Sequence, residues 1–136
     1  MTIKDNMKHW YKDLEHRFAT FPEHIQVLHL LSDLTKARNL LPISRKSAVN
    51  HYYRAIILLD YIVADPRWRG KLRELLRLRE AIGSLCVVDE GNGDTKQPLK
   101  PYGTPDEIIK CAAVLHPEAY KIFRPSLESL KNTEHQ

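Results

Sequence analysis

Hydrophobic residues recur at intervals of three and four through most of the first 86 positions, the spacing that places side chains on one face of an α-helix. A first amphipathic helix is predicted at residues 4–19 and a second at about 22–41, with a break at Thr20 to Pro22. The apolar positions of the first helix are Met7, Trp10, Leu14 and Phe18. Those of the second include Ile25, Leu28, Leu31, Leu34 and Leu41.

Residues that start and stop helices define two further elements. Ser44 is a hydroxyl N-cap for the most apolar segment, about 45–64, and Asp65 followed by Pro66 opens another helix at about 66–86. The fourth helix should direct half of its wheel toward the core. Its apolar residues are Trp68, Leu72, Leu75, Leu76, Leu78, Ile82 and Leu85.

The chain loses its helical periodicity over 87–103, for which we expect a loop; a short hairpin closed by Gly91 to Gly93 is the alternative. Thr104 and Glu107 form a capping box that starts a short helix, and Pro117 and Pro125 should break the segment that follows. We therefore predict an all-α helical bundle of four longer helices plus two or three short C-terminal helices. A single domain spans 1–130, followed by a frayed tail at 131–136.

Composition limits the function classes. With 136 residues, 43% of them hydrophobic, the chain can build one compact core. It contains no apolar run of membrane-spanning length and no signal-peptide pattern, so we expect no membrane segment and a cytoplasmic location. Two cysteines are too few for a disulfide framework or a complete zinc site, and no cofactor-binding motif is present. We expect neither a metal nor a cofactor.

Charge is unevenly distributed along the chain, whose formal net charge is +4. The excess of basic residues lies before residue 89, and the remainder is mildly acidic. Arg69, Arg73 and Arg77 follow one ridge of the predicted fourth helix. Further basic candidates are Arg67, Arg45, Lys46 and Arg54. Guanidinium groups in a row suit phosphate or carboxylate oxygens, so this face is predicted to contact a nucleic-acid backbone or an acidic protein surface. The alternative is an ordinary solubilising surface with pairs to Glu74 and Glu80.

The predicted third helix is apolar on two sides. Its second face carries Ile57, Leu58 and Tyr61. Either this is the central helix of the bundle, or its outer face meets another chain. We expect self-association or a protein partner through 45–64.

Enzymatic chemistry has weaker support. The spacing of Arg45 and His51 loosely resembles the active-site Arg and His of HEPN-type helical RNases, but Lys46 stands where that family usually has a polar residue. The pair also lies in mid-chain, and on a regular helix the two side chains would point about 120° apart. We do not assign the chain to that family, and a small RNase-like enzyme using His51 and Arg45 remains the alternative function.

Two other constellations are candidates for a site or a contact. His9, Asp13 and His16 share one face of the first helix, where they could hold a divalent metal or form a solvated surface. Asp60 lies in an apolar run and Arg79 on the apolar half of the fourth helix, so we predict a buried or semi-buried ion pair between them. The leading function is a non-enzymatic adaptor or small subunit of a larger assembly.

Overall fold

The computed structural model describes residues 14–87 and 102–134, with side chains as far as Glu128. Its helices are α1 over residues 14–19, α2 Glu23–Leu40, α3 Arg45–Ala64, a 3₁₀ helix Pro66–Lys71, α4 Leu72–Val87, α5 Pro105–Ala113 and α6 Pro117–Glu134. No strand occurs in this part of the chain, which confirms the all-α prediction. His9, Asp13 and the hairpin alternative at Gly91 to Gly93 lie outside the described residues.

Side-chain caps determine where three helices begin, as the sequence predicts. Ser44 Oγ accepts the Ser47 amide at 3.3 Å at the start of α3. Asp65 Oδ1 accepts the Arg67 amide at 3.0 Å at the 3₁₀ helix, and Thr104 Oγ1 accepts the Glu107 amide at 3.1 Å at α5. Each bond satisfies an amide that has no partner within its own helix.

One prediction about the later helices is refined by the structure, and another is wrong. Residues 66–86 do not form one α-helix, because the chain after Asp65 winds as a 3₁₀ helix to Lys71 before α4 begins. Pro125 does not end a helix, since it lies inside the continuous α6. The side of α6 that carries Pro125 is exposed. Water can therefore bind the carbonyl four residues earlier, which has no amide partner because proline lacks an N–H.

The core is built around α2 and α3, which pack against each other; α4 covers α3, while α5 and α6 cover α2. The large apolar side chains that are fully buried here include Phe18, Leu30, Leu34, Tyr52, Leu59 and Ile82. Helix α4 buries a narrower face than the wheel predicts. Leu72 and Leu76 remain 43% and 46% exposed, whereas Leu75 and Leu78 reach the core.

A polar cluster joins α1, α2 and the 3₁₀ helix inside this core. Gln26 is fully buried, and its Nε2 donates to the Phe18 carbonyl at 3.1 Å and to Asp65 Oδ2 at 3.3 Å. Its Oε1 accepts the indole N–H of Trp68 at 2.8 Å. The amide therefore uses both of its ends to join α1 and α2 to the 3₁₀ helix, which is about 40 residues away in sequence.

Arg67 closes the same cluster from outside. Its guanidinium binds Asp65 Oδ2 at 2.7 Å and donates to the Phe21 carbonyl at 2.9 Å and the Ala19 carbonyl at 3.3 Å. The turn between α1 and α2 is thus fastened to the start of the 3₁₀ helix. These Arg67 hydrogen bonds hold the pKa of the Asp65 carboxyl at about 2, although its burial acts in the opposite direction.

Replacing Gln26 by leucine should lower the free energy of unfolding by about 1 to 3 kcal/mol, because it leaves the Trp68 N–H without an acceptor in the core. The Phe18 carbonyl loses one of its two hydrogen bonds and keeps the one from the Phe21 amide. Urea denaturation measures the loss. Asn39→Leu, at an exposed amide, is the matched control and should change stability by less than about 0.5 kcal/mol. Equal effects of the two substitutions would contradict the bridging role of Gln26.

Asp65 should make stability pH-dependent in acid. Its folded-state pKa of about 2 lies below the ordinary 3.8, so its contribution is complete above about pH 4 and is lost as the pH falls toward 2. Thermal melting of the parent protein and of Asp65→Asn should therefore show a gap in Tm that narrows across this interval. A gap that stays constant from pH 5 to pH 2 would show that Asp65 has no such linkage.

Candidate interaction surface

The solvent side of the 3₁₀ helix and α4 combines three arginines with two leucines. We call Arg69, Leu72, Arg73, Leu76 and Arg77 the outer face of α4. All five are exposed. A shallow depression covers the α4 part of this face, and it is lined by Leu72, Arg73, Leu76, Arg77, Arg79 and Glu80. Within the described part of the chain, no acidic side chain forms an ion pair with Arg69, Arg73 or Arg77.

The opposite side of α4 explains this orientation. Leu75, Leu78 and Ile82 are buried against the bundle, so residues on the other side of the wheel point to solvent. Sequence reasoning placed the arginine ridge on this helix but put Leu72 and Leu76 in the core. The wheel shows only which residues share a side, whereas the packing of α4 on α3 sets how wide the buried arc is.

The predicted Asp60–Arg79 pair forms at the edge of this face. Arg79 Nε donates to Asp60 Oδ1 at 2.7 Å, and the carboxylate raises the pKa of the guanidinium. The prediction that the pair is buried or semi-buried needs correction, because its side chains are 45% and 41% exposed. A surface pair of this kind contributes less than about 1 kcal/mol.

Arg67 does not belong to the outer face, although sequence analysis grouped it there. Its guanidinium forms ion pairs with Asp65 and Glu23 and donates to the carbonyls of the turn after α1. The reason is the N-cap geometry at Asp65, which brings the carboxylate directly beneath the arginine two residues later. We therefore assign Arg67 a structural role.

The basic candidates of α3 are dispersed. Arg45 donates to the carbonyls of Leu85 and Cys86 at 3.0 and 3.4 Å, in the last turn of α4. Arg54 Nε lies 3.9 Å from Asp33 Oδ1, while Lys46 points to solvent. These three residues do not extend the outer face of α4 into one basic patch.

The alternative catalytic pair is directed toward different helices. His51 Nδ1 lies 3.0 Å from Asp33 Oδ1 on α2, while Arg45 binds the end of α4. Neighbouring Tyr52 is buried, and burial above all raises its pKa to about 12, so it stays protonated at neutral pH. The structure gives Arg45 and His51 packing and capping contacts and does not bring them to one site.

The predicted interface on α3 is largely covered from within the chain. Leu58 is 1% exposed and belongs to the core, which corrects its assignment to a partner surface. Tyr61 is half-buried, with its ring 5.7 Å from that of Phe18. Ile57 is also half-buried. Helix α3 is thus the central helix of the bundle, the first of the two possibilities that its apolar wheel left open.

Sequence analysis overlooked Gln26 and Asp33, the two buried polar residues of α2. The spacing of residues along α2 could have indicated that both are buried. Gln26, Leu30, Asp33 and Ala37 follow the four-three-four spacing of a buried helix face. A polar residue on such a face needs a partner, and Gln26 and Asp33 find theirs in Trp68 and His51.

The ranges 14–87 and 102–134 contain neither a cluster of metal-ligating side chains nor a membrane-spanning helix. No three His, Cys, Asp or Glu side chains there lie close enough together to hold a metal ion, and His16 is exposed. None of the helices in these ranges combines the length and the apolar composition that crossing a bilayer requires.

His51→Ala should destabilise the protein by roughly 1 to 3 kcal/mol, because it removes a hydrogen-bond partner from the buried Asp33 carboxylate. Denaturant unfolding measures this effect, with His16→Ala at an exposed position as the control. Unchanged stability in His51→Ala would refute the structural role and return His51 to the catalytic candidates.

Comparison with known proteins finds no matching protein-family model, no matching curated protein and no matching solved structure. The function is therefore inferred from the geometry of the chain itself.

Proposed function

We propose that the protein is a non-enzymatic helical adaptor, or a small subunit of a larger assembly, that binds an acidic protein segment through the outer face of α4. The observation that carries this proposal is the combination of three exposed arginines without ion-pair partners in the described residues and two leucines that are nearly half exposed. Arg67 and Arg79 pair with Asp65 and Asp60, so Arg69, Arg73 and Arg77 are the arginines of residues 66–87 that remain open to a ligand.

The arginines account for the charge of the partner. Guanidinium groups hold carboxylates or phosphates with two parallel hydrogen bonds. Arg73 and Arg77 lie one turn apart on α4, and Arg69 is exposed on the 3₁₀ helix that precedes it. A partner with acidic groups along this stretch could pair with all three. Such pairs give orientation and association rate more than raw affinity.

The leucines favour a protein over a nucleic-acid backbone. Leu72 and Leu76 lie one turn apart beside the arginines, and apolar surface of this kind is buried by another apolar side chain. A phosphate backbone is charged and presents no aliphatic side chain that could cover these two leucines. An amphipathic helix with acidic and leucine-like residues satisfies both features.

The test uses a synthetic amphipathic helix of Glu and Leu, with a single-stranded oligonucleotide and heparin as competing polyanions. Arg69→Glu with Arg73→Glu should weaken peptide binding by about tenfold or more, because both substitutions turn attraction of the acidic peptide into repulsion. Tenfold corresponds to about 1.4 kcal/mol. Lys36→Glu with Lys121→Glu changes the net charge equally at exposed sites elsewhere and should leave binding within about twofold. Fluorescence anisotropy at two salt concentrations provides the affinities.

The double substitution Leu72→Ser with Leu76→Ser separates the apolar contribution to peptide binding from the contribution of charge. This variant should also lose peptide binding, while any weak binding of heparin should be unchanged. Oligonucleotide binding that is tighter than peptide binding and indifferent to the two serines would replace the protein partner by a nucleic acid. Failure of all three ligands to bind, or equal losses in the lysine control, would refute the proposal.

A further inference from the structure

A second concave feature lies on the other side of α4, between this helix and α5. The groove has a volume of about 640 Å³. Its floor consists of the buried side chains of Leu78, Ile108 and Leu115. Exposed Tyr102 and Val114 add apolar surface to its walls, at 74% and 59% exposure. The groove therefore has a floor of buried aliphatic side chains, whereas every residue that lines the shallow depression over the outer face is exposed.

The packing of the two helices accounts for the space between them. Helix α4 packs mainly on α3 and α5 mainly on α2, so neither is shaped to fill the gap to the other. One end is fixed, because the Tyr102 amide donates to Ser84 Oγ at 3.1 Å and the Thr104 cap then starts α5. The groove is therefore framed by hydrogen-bonded elements of the fold.

The charges on the rim determine which ligand suits the groove. Along the α4 side they alternate, with Lys71, Glu74, Arg77 and Glu80 at intervals of three residues. The α5 side adds Glu107. A ligand of either sign would meet attraction and repulsion at neighbouring positions, so a formal charge gains little here. The apolar floor, by contrast, favours any uncharged hydrophobic group.

The volume separates a small molecule from a docked helix. Ligand pockets of about 300 to 1,000 Å³ hold drug-sized molecules on a mostly apolar surface with a few polar groups at the edge. At about 640 Å³ the groove falls inside this range. A helix of several turns is about 10 Å wide and would extend well beyond the buried floor.

We propose that the groove between α4 and α5 is a binding site for an uncharged, mostly apolar small molecule. The site goes beyond the adaptor function, because its floor and walls come from residues that the outer face of α4 does not use. Only Arg77 and Glu80 border both features.

The protein contains its own reporter for this site. Cys111 is exposed and lines the groove, whereas Cys86, the other cysteine, is 3% exposed in the core. A bound ligand should therefore slow the reaction of Cys111 with N-ethylmaleimide, followed by mass spectrometry, by about tenfold at saturation. The Cys86 thiol serves as the internal reference and should stay unmodified in the folded protein.

The binding probe is N-phenyl-1-naphthylamine, an uncharged dye that fluoresces in apolar surroundings. It should bind at one saturable site and more tightly than the sulfonated 8-anilinonaphthalene-1-sulfonate. Ala81→Trp, which fills the groove from α4, should abolish both dye binding and protection of Cys111. Ala64→Trp, at an exposed position of α3, is the matched control and should retain both.

Two further results decide the case. Cys111→Ser should still bind the dye, because the apolar floor and not the thiol forms the site. Circular dichroism establishes that each variant is folded, and Val114→Trp provides a second filling substitution from α5 if Ala81→Trp unfolds. Absence of saturable dye binding, binding that survives both filling substitutions, or tighter binding of the sulfonated dye would each overturn the proposal.

Discussion

The position of α4 depends on the buried amide of Gln26. Its two ends bind the Phe18 carbonyl and the indole of Trp68, and Asp65 adds a carboxylate that Arg67 fastens to the preceding turn. Trp68 can enter the core because its N–H has this partner, and the 3₁₀ helix forms around it. The rotation at which α4 leaves this corner sets which of its residues face solvent.

The same packing divides six of the arginines into two groups. Arg67 and Arg79 bind the carboxylates of Asp65 and Asp60, and Arg45 donates to the Leu85 carbonyl of α4. Arg69, Arg73 and Arg77 lie on the side of the chain that the core does not use, and no ion pair engages them within the described residues. The proposed adaptor role follows from this division, since an unpaired row of guanidinium groups beside exposed leucines suits an acidic amphipathic partner.

Local rules of the sequence predict much of this fold. The bounds of α3 and the caps at Ser44, Asp65 and Thr104 follow from short-range chemistry, and the structure contains them. The alignment of Arg73 with Arg77 follows from the helical period of α4. The Asp60–Arg79 pair joins two helices, and it could be predicted because each residue lies among apolar positions of its own helix.

Features that depend on tertiary packing escape those rules. The exposure of Leu72 and Leu76, the burial of Leu58 and the captured guanidinium of Arg67 depend on which helix covers which face. The persistence of α6 through Pro125 depends on that residue facing solvent.

The most direct test of the claim that the outer face of α4 binds an acidic partner is an NMR titration of the arginine Nε–H signals with the acidic amphipathic peptide. The account predicts shifts at Arg69, Arg73 and Arg77 and none at Arg67 or Arg45; shifts confined to Arg45 and Arg54, or none at any arginine, would contradict it.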